Sequence, residues 1–163
     1  MEFRDLKKQY QYLKKDIDQG IAGVIEQTAF IQGKQVRELE EKLADYVGVK
    51  HCVSCGNGTD ALQLALMAWN IGVGDAVFVP DFTFFSSGEV VSCVGAVPVF
   101  VDVDDRTFNM NCEHLEHMIC KTLEEGRLTL KAIVAVDLFG QPAEFEKIRA
   151  IADRYKLKIL EDA

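Results

Sequence analysis

No apolar run in the 163 residues reaches the roughly 18 that a bilayer-spanning helix needs. The opening MEFRDLKKQYQYLKKDIDQG has no apolar core of the kind a secretory signal carries, so a cytoplasmic protein is expected. Positive charge is in deficit: 18 Lys and Arg stand against 26 Asp and Glu, a formal net charge of −8. General binders of nucleic acid or of membrane surfaces show a basic face, and neither partner is expected here. The five cysteines, Cys52, Cys55, Cys93, Cys112 and Cys120, are odd in number and follow no signal region, which points to reduced thiols. Cys52 and Cys55 form a C-x-x-C without a second pair. On a strand, positions three apart face opposite sides, so no metal site is expected. Internal repeats, low-complexity tracts and a clear interdomain linker are missing too.

The chain does have apolar content: 48% of residues are hydrophobic, enough at this length for a real core. Leu6, Tyr10, Leu13, Ile17, Ile21 and Val24 recur at steps of three and four, as do Val36, Leu39, Leu43 and Tyr46, and predict two helices suited to packing and dimer contact. Gly48 is a natural stop for the second. From there the pattern alternates. Strands are expected at 49–55, 75–80, 96–103, 131–139 and 157–162, and helices at 59–70, 84–94, 111–125 and 143–155. The strands are continuous apolar runs, as expected when both faces are covered. The expected fold class is α/β, a largely parallel sheet with flanking helices, preceded by two N-terminal helices. This divides the chain into a helical segment, 1–48, and a sheet domain, 49–163.

Ligands of such folds sit at the carboxyl ends of the strands. Those ends read SCGNGTD, PDFTFFSS, VDVDD, DLFGQ and LEDA. In the first, a glycine turn opens a helix, so free backbone N–H groups and the helix dipole meet an anion, most simply a phosphate. Thr59 adds a hydroxyl or caps the helix. Two cofactor classes stay open at this point. Gly56 to Ala61 fits G-x-G-x-x-A, with Asp81 about 20 residues on, the pattern of a dinucleotide-binding oxidoreductase using NAD. Alternatively, the aromatics Phe82, Phe84 and Phe85 and the terminal Asp162 supply a stacking ring and a carboxylate for a ring nitrogen. Together with the phosphate cradle, these are the protein groups that pyridoxal phosphate needs.

The blocks FIQGKQVRELEEKLADYVGVKHCVSCGNGTDALQLAL, GVGDAVFVPDFTFFSS, GAVPVFVDVDDRTFNMN, VDLFGQPAEF and ILEDA resemble the DegT/DnrJ/EryC1/StrS sugar-nucleotide aminotransferases over nearly the whole chain. The opening MEFRDLKKQY and CGNGTDALQLALMA are similar to members that aminate C3 of a UDP-2-acetamido-3-keto-glucuronic acid. The resemblance implies the large domain of a fold type I enzyme and pyridoxal 5′-phosphate as cofactor. Gly58, Thr59 and Asp60 would lie at its phosphate, Phe84 on its ring and Asp162 at its pyridine nitrogen, with Gln141 and Gly33 near the substrate. It further implies a nucleotide-sugar substrate, an amino-acid donor (usually glutamate) and a homodimer. The family's Schiff-base lysine lies beyond its Asp-Ala block. Lys156 and Lys158 flank the last strand away from its tip, and no lysine of this chain matches. The expectation is a truncated large domain, inactive alone, with a non-catalytic remnant as a further alternative.

Overall fold

The computed structural model describes residues 4–163. The chain divides into two compact units, Met1–Ser54 and Cys55–Ala163. Two helices make up most of the first, α1 (Leu6–Gln27) and α2 (Lys34–Val47). Asp5 caps α1 through its side chain on the N–H of Lys8, and Gly48, at φ 78°, ends α2 in the left-handed conformation that glycine adopts without cost. No residue of α1 is buried within the chain. Its apolar positions Leu6, Ile21 and Ile25 are all more than half exposed.

A strand was expected at 49–55, and this is corrected: the segment forms none. Strands exist only through ladder partners, and among the described residues this segment has none. Its apolar side chains Val49 and Val53 stay exposed. What fixes it is a side chain: the backbone N–H and hydroxyl of Ser54 both donate to Glu40 Oε1 at 2.8 Å. These bonds, the backbone one first, hold the Glu40 carboxyl below its usual range.

The second unit is a parallel sheet between helices. Its elements run α3 (Gly58–Ala68), β1 (Asp75–Pro80), α4 (Ser86–Cys93), β2 (Val97–Val101), α5 (Cys112–Glu125), β3 (Thr129–Val136), a 3-10 turn (Leu138–Gly140), α6 (Phe145–Tyr155) and β4 (Lys158–Asp162). The strand order is β2-β1-β3-β4, all parallel. Side chains alternate along the central strands. Val77 and Val79 of β1, with Ala132, Val134 and Val136 of β3, face Leu62 and Leu66 of α3 and Val90 and Val91 of α4. Phe78, Ile133 and Ala135 face Leu115 and Ile119 of α5 and Ile148 and Ile151 of α6. Both faces are therefore buried, which is why these strands read as unbroken apolar runs.

The connection from β1 moves outward to β2, and the chain then returns across β1 to place β3 on the other side. Such a reversal opens a crevice at the carboxyl edge between the two central strands. All four strands end on that edge, at Pro80, Val101, Val136 and Asp162.

Candidate active site

The helix mouth comes first. Asn57, with extended φ/ψ of −168° and 177°, is the N-cap of α3. Its Oδ1 accepts from the Asp60 N–H at 2.9 Å, and its Nδ2 donates to Asp60 Oδ2 at 3.1 Å. Of the two roles open to Thr59, a hydroxyl donor or the helix cap, the cap falls to Asn57, because α3 starts at Gly58. The N–H of Asp60 is thereby occupied. Those of Gly58 and Thr59 meet no acceptor among the described residues. Gly58 needs neither positive φ nor close approach within the chain, since a Cβ built there meets nothing within 4 Å. Its missing side chain leaves the mouth open in front of two free donors and the positive end of an 11-residue helix.

The far end of α3 fixes where this mouth lies. Helix α3 packs on α4 and β4. Lys158 Nζ, at the amino end of β4, sits 5.3 Å from the ring centroid of Trp69, the C-cap of α3. The helix spans about 16 Å at 1.5 Å per residue, and β4 from Lys158 to Asp162 spans about 13 Å. The two elements run antiparallel, so the N-terminus of α3 lies at the end of β4 that carries Asp162. Lys158 is at the opposite end, and Lys156, in the left-handed C-cap of α6, is there too.

Asp162 is half-buried. Its backbone carbonyl accepts from the N–H of Asp137 at 3.0 Å, and its Oδ2 accepts from the hydroxyl of Ser87 at 2.7 Å. Its Oδ1 has no partner among the described residues. Phe84, in the turn between β1 and α4, is 74% exposed, so its ring face is available to a ligand. Asp81 is exposed at the end of β1 and its N–H continues the ladder to Val101 O at 2.9 Å.

Gln141 follows the 3-10 turn after β3. Its carbonyl is pinned by Asn109 Nδ2 at 3.0 Å while its side chain stays exposed. It lines a cavity of about 540 Å³ with Asp104, Asn109, Cys112, Glu144 and Lys147. Gly33 lies in the other unit, as the N-cap of α2. A Cβ there would stand 2.8 Å from the carbonyl oxygen of Ala29, so the local chain path itself requires glycine.

Ser87, Thr83 and Asn57 were not foreseen as site residues. Thr83 and Ser87 stand four apart in PDFTFFSSG, and that spacing was the available signal. Cys112, on the cavity wall, is pushed up to about 11 by burial, with the nearby Glu144 carboxylate as the second cause. At pH 8 it is expected to stay a protonated thiol. Iodoacetamide should label the exposed Cys55, Cys93 and Cys120 and spare Cys112, as read by peptide mass spectrometry. Early labelling of Cys112 would contradict its burial.

Among the described residues no helix is long and apolar enough to cross a membrane. The model of the DegT/DnrJ/EryC1/StrS aminotransferase family matches residues 11–163. The chain is 46% identical, over its whole length, to 44% of a Pseudomonas aeruginosa protein named UDP-2-acetamido-2-deoxy-3-oxo-D-glucuronate aminotransferase. The crystal structure of a DegT DnrJ EryC1 StrS aminotransferase from Brucella abortus superposes with a TM-score of 0.96 at 50% identity, covering 99% of this chain and 43% of that one. A Bacillus subtilis structure with bound cofactor PMP superposes with a TM-score of 0.81 at 30% identity, over 91% of this chain and 33% of that one. The chain thus spans less than half the length of the proteins it matches. These neighbours assign the sheet unit to the fold type I aminotransferases.

Proposed function

The chain belongs to the DegT/DnrJ/EryC1/StrS aminotransferase family, and on that premise we propose that it holds pyridoxal 5′-phosphate for amino transfer from an amino acid, glutamate in the first instance, to a keto sugar nucleotide. The observation that carries this reading is the pairing of two features on one edge: the open mouth of α3 and the strand-tip carboxylate of Asp162 with one oxygen free. PMP, the amine form of the same cofactor, is bound in a structural neighbour, and the P. aeruginosa relative is named for a UDP-linked keto sugar.

The residues present fit the group. Gly58 and Thr59 offer backbone N–H donors to its phosphate, with the α3 dipole behind them. The Asp60 carboxylate is drawn aside by the Asn57 amide. Phe84 offers a ring face for stacking. Asp162 Oδ1 is the acceptor that holds a proton on the ring nitrogen. When bound, the cofactor supplies an electron sink for a carbanion at the amino carbon, and Asp162 keeps that sink strong. Gln141 and Gly33 are read as substrate contacts, and the exposed apolar stripe of α1 as surface covered by a second copy of the chain. An NAD-dependent reading keeps the Gly56–Ala61 spacing and Asp81, and no observation of the site favours it.

Titration of pyridoxal 5′-phosphate into ¹⁵N-labelled protein should move the amide resonances of Gly58 and Thr59 more than that of Asp60, whose N–H is already bound. Phe84→Ala should weaken cofactor retention about tenfold through lost stacking. Unmoved Gly58 and Thr59 resonances at saturating cofactor would overturn the assignment.

A further inference from the structure

Ser87 is fully buried in the first turn of α4. A buried helical hydroxyl usually bonds back to the carbonyl four residues earlier, as Thr122 does to Met118 O at 2.7 Å. Ser87 instead sends its proton across 75 residues of sequence to Asp162 Oδ2, at 2.7 Å. Its other hydroxyl contact is Thr83 Oγ1 at 3.1 Å. An ionised carboxylate only accepts, so the single Ser87 proton goes to Asp162. Toward Thr83, Ser87 can then only accept, and Thr83 must donate. The direction is fixed without any hydrogen being located: Thr83 to Ser87 to Asp162.

We propose that Thr83 and Ser87 form a one-way hydroxyl relay that holds Asp162 as an oriented carboxylate, and that Ser87 is the positioning residue deciding which partner carries the proton shared by Asp162 and the cofactor ring nitrogen. This rests on the proposed function, in which Asp162 faces that nitrogen. The backbone carbonyl of Asp162 is tied to the N–H of Asp137, the residue that follows β3, and its Oδ2 is tied to Ser87. Among the described residues Oδ1 meets no partner, so it is left to turn toward a ligand. Hydrogen bonds in a chain polarise one another, so Thr83 strengthens the bond that Ser87 makes.

The consequence concerns proton position. A charge-assisted hydrogen bond is about twice as strong as a neutral one, so the Ser87 donor stabilises the carboxylate more than the neutral acid. Without it, Asp162 Oδ2 loses the hydroxyl donor it has in the folded chain. The proton then moves from the ring nitrogen to Asp162, and the ring loses its positive charge.

The test uses pyridoxal 5′-phosphate carrying ¹⁵N in its ring, at saturating concentration near pH 7, with the ring-nitrogen resonance as readout. The unsubstituted protein should show a pyridinium nitrogen. Ser87→Ala should shift the ratio of the two proton positions about tenfold toward neutral pyridine. Thr83→Val, close in shape and lacking only the first donor, should shift it the same way by less. Ser87→Thr, which keeps a hydroxyl, should restore the pyridinium signal. A structural role alone would move melting temperatures and leave this resonance unchanged. If Ser87→Ala and Thr83→Val keep the resonance while Asp162→Asn moves it, the relay is overturned and the reading of Asp162 stands. If Asp162→Asn also leaves it unmoved, both fall. Should Ser87→Ala fail to fold, Thr83→Val decides alone.

Discussion

Asp162→Ala is expected to lower the rate of amino transfer from glutamate by about a hundred- to a thousandfold, the usual effect of removing one preorganised electrostatic partner from a reacting centre. The fold should survive the change. Asp162 is only half-buried at a strand tip, and the substitution opens no apolar cavity. Its local cost is the Ser87 hydroxyl left without its acceptor, about 1–3 kcal/mol. The measurement is the half-reaction with glutamate, followed by cofactor absorbance in the protein that carries this chain, with the melting temperature as control. Asp81→Ala serves as the contrast, because that carboxylate belongs to the dinucleotide reading and should leave the rate near normal. A near-normal rate in Asp162→Ala, together with nicotinamide binding that is lost in Asp81→Ala, would replace the aminotransferase reading.

On stability, the largest single effect is expected at Phe78. It lies on central strand β1, fully buried, against Val101, Leu115 and Ile133. Truncation to alanine removes a ring from between the sheet and the α5–α6 layer. The neighbouring strands are held by their ladders, so the space cannot collapse. The expected cost is about 3–5 kcal/mol, a large share of the 5–15 kcal/mol typical of a folded domain. Denaturant titration should show the midpoint falling accordingly. Val73→Ala, at a position 93% exposed, should change stability by no more than about 0.5 kcal/mol. A loss below about 1.5 kcal/mol for Phe78→Ala would mean that the two faces of the sheet are not packed as described.

The α/β class, the parallel sheet and most helix limits were legible in the chain because each rests on local pattern. DAVFVP and KAIVAV are apolar at successive positions, which only a strand covered on both faces tolerates, and the α5 stripe Leu115, Ile119 repeats at helical spacing. Phe84 and Asp162 could be singled out as candidates because strand ends in such folds are where ligands sit, and the glycine turn because it opens a helix. The segment 49–55 misled because a strand is defined by its neighbours. CVSC carries the propensity, but propensity does not supply a partner. The N-cap went to Asn57 because the helix began one residue before the pattern suggested. Other features belong to tertiary structure alone. The packing of α3 on β4, with Lys158 over Trp69 at one end, leaves the helix mouth toward the Asp162 end of the strand. Ser87 meets Asp162 across 75 residues of sequence. Periodicity carries no information about contacts at that separation, and only the order β2-β1-β3-β4, with α3 and α4 sharing one face, brings the hydroxyl to the carboxylate.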